Sequence, residues 1–286
     1  MSVGASESVV AAADAPIPFL RAHAGVFLRI VGPMVLVSQL ALVPAQFMQG
    51  TFMDSDGSEV LGRFAAYMGV TFGGVCVFWL MYPVIVLVIY AVATDLLAGR
   101  EPTLLGALRR ALDPMKWLTG VVVGLFTGVG AMTIVGAPVA VGFFAFTYPV
   151  MFEERVAGVE AVRRSLIIAR YGAGAAWWTA PWARVAVAFV AWWGLSSALG
   201  TLAAIPIYAD MGWSTWQAFT RGEDPAATIG RVSPLASVIG ALLGAGARVV
   251  TDSYPCVLAA LVYHDVRRRM GGADLEARIA ALEAAR

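Results

Sequence analysis

The sequence predicts an all-α polytopic membrane protein with about six transmembrane helices and amphipathic elbow helices on the cytoplasmic side. Two observations on composition predict it: 59% of the 286 residues are hydrophobic, and only 14% are charged. Soluble domains carry about 25% charged residues. The mean hydropathy of +0.76 points the same way. Because so few polar side chains cannot cover a large core, the soluble globular classes are excluded.

The charge balance excludes further classes of function. The chain has 20 Lys and Arg against 19 Asp and Glu, so its formal net charge is +1. Such a balance predicts no bulk attraction to nucleic acid, and no nucleic-acid partner is expected. The two cysteines, Cys76 and Cys256, lie in apolar runs, where cysteine packs as a small hydrophobic residue. Neither a disulfide framework nor a thiolate metal site is indicated.

Long apolar runs define the predicted spans, since about 20 helical residues cross the roughly 30 Å hydrocarbon core. We expect residues 1–24 to be a cytoplasmic tail with an interfacial flank, residues 25–264 a six-span membrane domain, and residues 265–286 a cytoplasmic amphipathic helix. The apolar runs are residues 25–48, 65–94, 117–152, 177–209 and 233–264. The segment between the last two runs, with Trp213, Trp216, Arg221, Glu223 and Asp224, is expected to be an outer loop.

The run 117–152 is predicted to be a hairpin of two short spans, because arginine-rich segments flank it on both sides and belong on one side of the membrane. Proline disfavours helix in the preceding residue, so the turn is expected at Gly136-Ala137-Pro138. The segments 95–116, 153–170 and 265–286 hold four, four and five Lys or Arg residues, whereas the outer loops hold three. This asymmetry predicts cytoplasmic termini.

The segments that follow the inward-ending spans repeat one pattern, an acidic residue, a glycine and an amphipathic helix. In the first two, the string A-[LV]-R-R-[AS]-L follows the glycine. Such helices are expected in the interface plane, with their arginines among anionic headgroups. Two interpretations stay open: staples that orient the bundle, or a docking surface for a cytoplasmic protein. The three elbows consist of Asp95, Gly99, Arg109 and Arg110; Glu154, Gly158, Arg163 and Arg164; and Asp265 and Gly271.

With the strings Ala107-Leu-Arg-Arg, Ala161-Val-Arg-Arg-Ser165-Leu166, Tyr263-His-Asp265-Val-Arg267 and Asp274-Leu-Glu276, these residues give the chain a family resemblance. It resembles bacterial polytopic proteins related to the membrane domain of glycerophosphoryl diester phosphodiesterases. The resemblance covers spans two to six and the carboxyl tail. It implies a six-span protein of the bacterial inner membrane. The 286 residues contain no counterpart of the soluble phosphodiesterase domain, so no catalytic residue is carried over.

The sequence lacks the patterns of a nucleotide site and of a metal site. Lys116 is the only lysine and follows no glycine loop, which excludes a Walker nucleotide site. No His, Cys or acidic spacing typical of a metal site is present, and no cofactor is expected.

Glycines in the apolar runs are predicted to mediate helix packing, because a spacing of four residues between glycines indicates close approach of helices. The packing glycines are Gly120, Gly124 and Gly128, with Gly240 and Gly244 in the last run.

Arg248 and Asp252 lie near the middle of the last apolar run, one helical turn apart. Each such charge costs about 2.5 to 3.5 kcal/mol at the centre of a span on insertion scales, so each needs a partner. They can pair with each other, with Gln39 or Gln46, or with a water-filled cavity, and Tyr254 stands beside them. A structural clasp and a substrate or proton site both stay open.

We therefore expect a non-enzymatic scaffold or accessory subunit of an envelope complex, in contact with membrane lipids and possible membrane or cytoplasmic protein partners. The alternative is a transporter or lipid-handling permease that uses the region of Arg248 and Asp252. A third alternative, an intramembrane enzyme, would need a nucleophile or a metal beside a base. The pattern names no ligand and no oligomeric state.

Overall fold

The computed structural model describes residues 13–45, 60–130, 133, 136–171, 180–223 and 232–284, with side chains up to Gly271. These residues are helical, with no strand among them. The helices are α1 (Pro16–Ile30), α2 (Gly32–Leu40), α3 (Val60–Leu97), α4 (Leu104–Ala111), α5 (Pro114–Gly130), α6 (Gly136–Phe144), α7 (Thr147–Glu153), α8 (Val159–Ala169), α9 (Pro181–Ala203), α10 (Ile205–Arg221) and α11 (Pro234–Ala284). The prediction of an all-helical chain is confirmed for the part that the structure describes.

Within the described residues, four helical segments are long and apolar enough to cross a membrane, and a bent pair, Pro16–Ile30 with Gly32–Ala45, is a fifth candidate. Their apolar residues are widely exposed, as in Phe72 of α3, which is 71% exposed. The four segments are Val60–Leu97, Gly136–Glu153, Pro181–Ala203 and Pro234–Gly271.

The chain divides into two compact units. The first consists of Met1–Ala24, Val86–Trp193 and Asp252–Arg286, and the second of Gly25–Ile85 and Gly194–Thr251. In the first unit, every residue from 87 to 93 of α3 is buried, as is every residue from 256 to 260 of α11. Helical turns that are apolar all round have no polar face to present to water, which accounts for their central place in the unit.

The predicted hairpin of short helices is present in the first unit, where the rings of Phe126 in α5 and Phe144 in α6 stack at 6.1 Å. Its turn is displaced from the predicted position. Helix α5 ends at Gly130 and α6 begins at Gly136, so Pro138 lies in the first turn of α6. Proline is tolerated there because the first helical amides have no partner within the helix.

The first predicted span differs most from the expectation. A single helix over residues 25–48 is wrong, because α1 begins at Pro16 and the bent pair changes direction by 56° after Ile30. Pro33 is the physical reason. It stands at the start of α2, where its ring prevents α1 from continuing.

The predicted outer loop after residue 209 is also wrong over its first half, because α10 extends to Arg221 and contains Trp213 and Trp216. It ends at Gly222, whose φ of 70° is the left-handed conformation typical of a helix C-terminus. Within the second unit, Asp210 of α10 accepts hydrogen bonds from the backbone amide (2.6 Å) and the hydroxyl (3.0 Å) of Ser233. These bonds fix the start of α11 against α10.

Candidate functional site

The first elbow is held by an ion pair between the end of α3 and the helix that follows it. Asp95 is buried, and its carboxylate accepts two hydrogen bonds from the Arg110 guanidinium of α4. Arg100 lies against the same carboxylate at 3.1 Å. Gly99 takes a φ of +70° between them, which lets the chain reverse at low cost. The acid thus fixes α4 to the end of α3.

The second elbow has the same construction. Glu154 follows α7 and pairs with Arg164 of α8, with 2.5 Å between Oε2 and Nη1. Gly158 has φ +67° and ψ −147°, a region that is essentially restricted to glycine, and its amide donates to Thr119 Oγ1 at 2.8 Å. Ser165, fully buried, donates to the carbonyl of Phe143 at 2.8 Å. The hydroxyl therefore fastens α8 to α6.

The two elbows match position by position along their repeated string. The small residue at its start and the small residue at its fifth position are buried, Ala107 and Ala111 in α4, and Ala161 and Ser165 in α8. The first arginine of each doublet, Arg109 or Arg163, is exposed, whereas the second binds the acid. The predicted repeat is therefore a structural repeat, and its two arginines have different roles.

Both elbow helices expose large apolar side chains. Leu105 of α4 is 79% exposed, and Val159 of α8 is 85% exposed. Leu104 in α4 and Leu112, the residue that follows α4, are exposed as well. Alanines replace them at the packed face, because only small side chains allow α4 to lie close to α3.

Glu160, on the surface of α8, adds to the electrostatics of the second elbow. It accepts from Arg164 Nε at 2.7 Å. Hydrogen bonding and attraction from Arg164 lower the pKa of Glu160 below its ordinary value. Bonds to Glu160 and Glu154 raise the pKa of Arg164 in turn. The guanidinium is charged at every accessible pH, so the shared contact favours the ionised carboxylate.

Glu154 also connects the second elbow to α11. Its Oε1 accepts from the Tyr263 hydroxyl at 3.0 Å and lies 3.5 Å from Arg267 Nε. Next to it, Glu153 Oε1 is 3.6 Å from His264 Nε2, beyond hydrogen-bond length. The Tyr-His-Asp-Val-Arg string singled out in the sequence thus lies against the two glutamates that end α7.

The third elbow, predicted around Asp265 and Gly271, is wrong. Helix α11 runs through both residues to Ala284, so residues 265–284 continue the last predicted span. Asp265 pairs with Arg269 one turn ahead at 2.6 Å, an i,i+4 contact that stabilises helix. Since the acid is satisfied within its own helix and good helix formers follow, nothing reverses the chain at Gly271.

A pocket of about 230 Å³ opens between α8 and α11 beside Glu154. Two arginines supply its polar wall, Arg164 from α8 and Arg267 from α11. The remaining lining is apolar and consists of Ile167, Ile168 and Met270. This combination of an acid, two cations and an aliphatic floor was not anticipated, because it depends on how α8 packs against α11.

The intramembrane polar candidates fall in different parts of the fold. In the second unit, the Arg248 guanidinium lies over the rings of Phe78 at 4.8 Å and Tyr82 at 5.8 Å, partners that were not predicted. Cation–π contacts of this kind stabilise a desolvated cation by roughly 2 kcal/mol. Gln39 lies near Gly244, its Oε1 3.9 Å from where a glycine Cβ would be. Gln46 lies outside the described residues.

In the first unit, Tyr254 donates a 2.5 Å hydrogen bond to the carbonyl of Ala13, which fixes α11 to the start of the described chain. The backbone carbonyl of Asp252 accepts from the Cys256 thiol at 3.3 Å. Tyr254 thus has a partner that the sequence did not indicate.

The glycine faces are only partly as predicted. A Cβ on Gly120 would lie 3.4 Å from Leu87, and one on Gly240 would lie 2.8 Å from Ile207. A Cβ on Gly124 or Gly128 would have nothing within 4 Å among the described residues, so a packing role for these two glycines stays a prediction. The α5–α6 hairpin closes further along, where Ala140 lies beside Gly130.

Gly142 is the close-packed glycine that the spacing argument missed. A Cβ there would lie 2.5 Å from the carbonyl oxygen of Trp182 in α9. The rings of Phe143 and Trp182 stack at 5.1 Å in the same contact. The signal was weak, because Gly142 stands alone rather than in a series.

Among the residues that the structure describes, no three His, Cys, Asp or Glu side chains form a group able to hold a metal ion. No family model, no curated protein and no solved structure matches this chain.

Proposed function

We propose that the chain is a six-span protein of a bacterial inner membrane, with both termini in the cytoplasm, that serves as a non-enzymatic scaffold or accessory subunit. Four segments have the length and hydropathy of spans, and the bent pair of α1 and α2 is a fifth. Helix α5, with 17 residues and a length of about 26 Å, is the sixth. Large exposed apolar residues along these helices support a lipid environment.

The observation that carries the scaffold role is the repeated ion-paired elbow. Each elbow fixes a short amphipathic helix to the end of a longer helix and leaves the first arginine of the doublet exposed. Exposed arginines beside exposed apolar residues are a composition that protein interfaces favour. Arg109 and Arg163 therefore present one charged motif twice, which suits an acidic cytoplasmic segment of a partner subunit.

The contacts of Arg248 support a structural role over a transport role. Two aromatic faces already compensate its charge within the second unit. A substrate site would have to displace these rings, so we assign Arg248 to the packing of that unit.

Copurification from native membranes tests the scaffold role. We expect at least one protein to be retained in stoichiometric amount, and to be lost in the variant Arg109→Glu with Arg163→Glu. Arg221→Glu is the matched control, because Arg221 is an exposed arginine at the end of α10. A chain that purifies alone, or one whose partner is insensitive to the doublet variant, refutes the role.

Cysteine accessibility tests the topology independently. Cysteines at Arg109 and Arg163 should react with a membrane-impermeant reagent only from the cytoplasmic side, and a cysteine at Glu223 only from the other side. Opposite results for Arg109 and Arg163 would mean that α5 and α6 do not cross as a pair.

A further inference from the structure

The pocket beside Glu154 has unused hydrogen-bond donors. Arg267 lies 3.5 Å from Glu154 through Nε, and neither of its Nη groups donates a hydrogen bond to a described residue. Arg164 uses Nε for Glu160 and Nη1 for Glu154, which leaves Nη2. Two guanidinium groups on one wall therefore offer three nitrogen atoms to an acceptor. Planar guanidinium forks of this kind match phosphate oxygens well.

The charge around the pocket also favours an anion. Among the described residues of the lining, Glu154 is the one carboxylate; it accepts a hydrogen bond from the Tyr263 hydroxyl and is paired with the two arginines. Against that single negative charge stand Arg164 and Arg267. Two exposed arginines on the same segments, Arg155 and Arg268, add positive potential, while Arg163 pairs with Glu160 at 3.7 Å. A second carboxylate, Glu160, pairs with Arg164 outside the lining.

The remaining lining indicates the kind of molecule that carries the anion. Ile167, which is 52% exposed, and Met270 extend the pocket as an apolar surface next to the arginines. A fully soluble phosphate metabolite has no use for such a surface, whereas an acyl chain does. The volume of about 230 Å³ is below the roughly 300 Å³ at which pockets for drug-sized ligands begin. It suits one headgroup phosphate and the start of a chain.

We propose that this pocket binds the phosphate of an anionic phospholipid, with Arg164 and Arg267 on the phosphate oxygens and Ile167 and Met270 along the first part of an acyl chain. The inference rests on the proposed membrane location. It assigns the second elbow a specific lipid in place of general contact with headgroups.

Thermal unfolding of the full chain in neutral detergent tests the site. Diheptanoyl phosphatidylglycerol should raise the Tm in a saturable manner, whereas diheptanoyl phosphatidylcholine and inorganic phosphate at equal concentration should not. Arg267→Gln should weaken the apparent affinity about tenfold, since hydrogen bonds to charged groups contribute about 1.5 to 3 kcal/mol. Arg268→Gln is the matched control, because it removes the same charge from an exposed position outside the lining. It should change the affinity less than about twofold, as exposed charges do.

Ile167→Asn separates a lipid from a free phosphate. It should weaken the apparent affinity for phosphatidylglycerol as strongly as Arg267→Gln does. It also serves as the test if Arg267→Gln lowers the Tm in the absence of lipid. Equal effects of the two lipids, equal effects of Arg267→Gln and Arg268→Gln, or a response to inorganic phosphate that Ile167→Asn leaves unchanged would each overturn the proposal. Carbonate extraction of native membranes distinguishes failure of the lipid site from failure of the proposed membrane location. A chain that stays in the membrane but ignores phosphatidylglycerol refutes only the site, whereas a chain released by carbonate refutes the membrane location.

Discussion

The ion pair that closes the first elbow offers a direct measure of how much an elbow stabilises the fold. Asp95 is buried and receives two hydrogen bonds from Arg110, whose side chain is 34% exposed, and one contact from Arg100, which is 59% exposed. We expect Asp95→Asn to remove most of this stabilisation and Arg110→Gln to remove slightly less of it. Arg109→Gln is the matched control, because Arg109 is the exposed member of the same doublet.

The magnitude follows from these exposures. Breaking a fully buried pair costs about 3 to 5 kcal/mol, and an exposed pair contributes about 0 to 1 kcal/mol. Since Asp95 is buried and Arg110 is partly exposed, we expect a loss of about 2 kcal/mol for Arg110→Gln, which lowers the Tm by about 4 to 8 °C. Asp95→Asn should cost slightly more, because it also releases Arg100. Arg109→Gln should stay within about 0.5 kcal/mol.

A double-mutant cycle read by thermal unfolding in detergent checks the pairing itself. The double variant of Asp95→Asn and Arg110→Gln should be about as stable as Asp95→Asn alone, because the second change removes a charge that is already unpaired. Losses that add to within about 0.5 kcal/mol would show that the two side chains are energetically independent, and would refute the reasoning for both elbows.

Three further predictions concern glycines and pH. Gly142→Leu should destabilise the first unit by about 1 to 3 kcal/mol through overpacking against Trp182, whereas Gly124→Leu should leave the Tm nearly unchanged. A larger loss of Tm for Gly124→Leu than for Gly142→Leu would support the packing role that the spacing predicted for Gly124. Gly158→Ala should cost about 1 to 3 kcal/mol because of its backbone angles, while Gly212→Ala, in a helix with open space around it, should cost nothing, and equal Tm values would contradict the strain argument. Because the pKa of Glu160 is lowered in the fold, its contribution to stability is present above its unfolded pKa and is lost as the pH falls through the folded value. Glu160→Gln should therefore remove part of the fall in Tm below the unfolded pKa of glutamate, and an identical pH profile would argue against that contact.

Hydropathy predicted the long helices because the signal extends over many residues and depends little on packing. Local chemistry predicted some breaks less well. The Gly32-Pro33 pair indicates a bend after Ile30, but the continuous apolar run favoured the prediction of a single helix. Helix α10 was missed because Asp210 and Trp213 look like loop residues when their tertiary partners are unknown.

The site depended on tertiary contacts to different degrees. The acid, the glycine and the arginine doublet of the first two elbows stand close together in the chain, so their association was predictable. Which arginine of each doublet binds the acid was not, since that is decided by the helical face that packs. The pocket beside Glu154 and the rings under Arg248 join residues far apart in the chain, and no periodicity reports such pairs.

The division of labour within each arginine doublet has a consequence for how the chain is made. In the topology proposed above, α4 and α8 have not yet folded against their acids while the chain inserts, so both arginines of a doublet act as positive charges that favour the cytoplasmic side. Once the elbow closes, Arg110 and Arg164 are paired with Asp95 and Glu154, whereas Arg109 and Arg163 stay exposed at the surface, Arg163 within 3.7 Å of Glu160. On this topology a doublet acts first in membrane insertion and then in the finished fold, and we expect replacement of its second arginine to impair both.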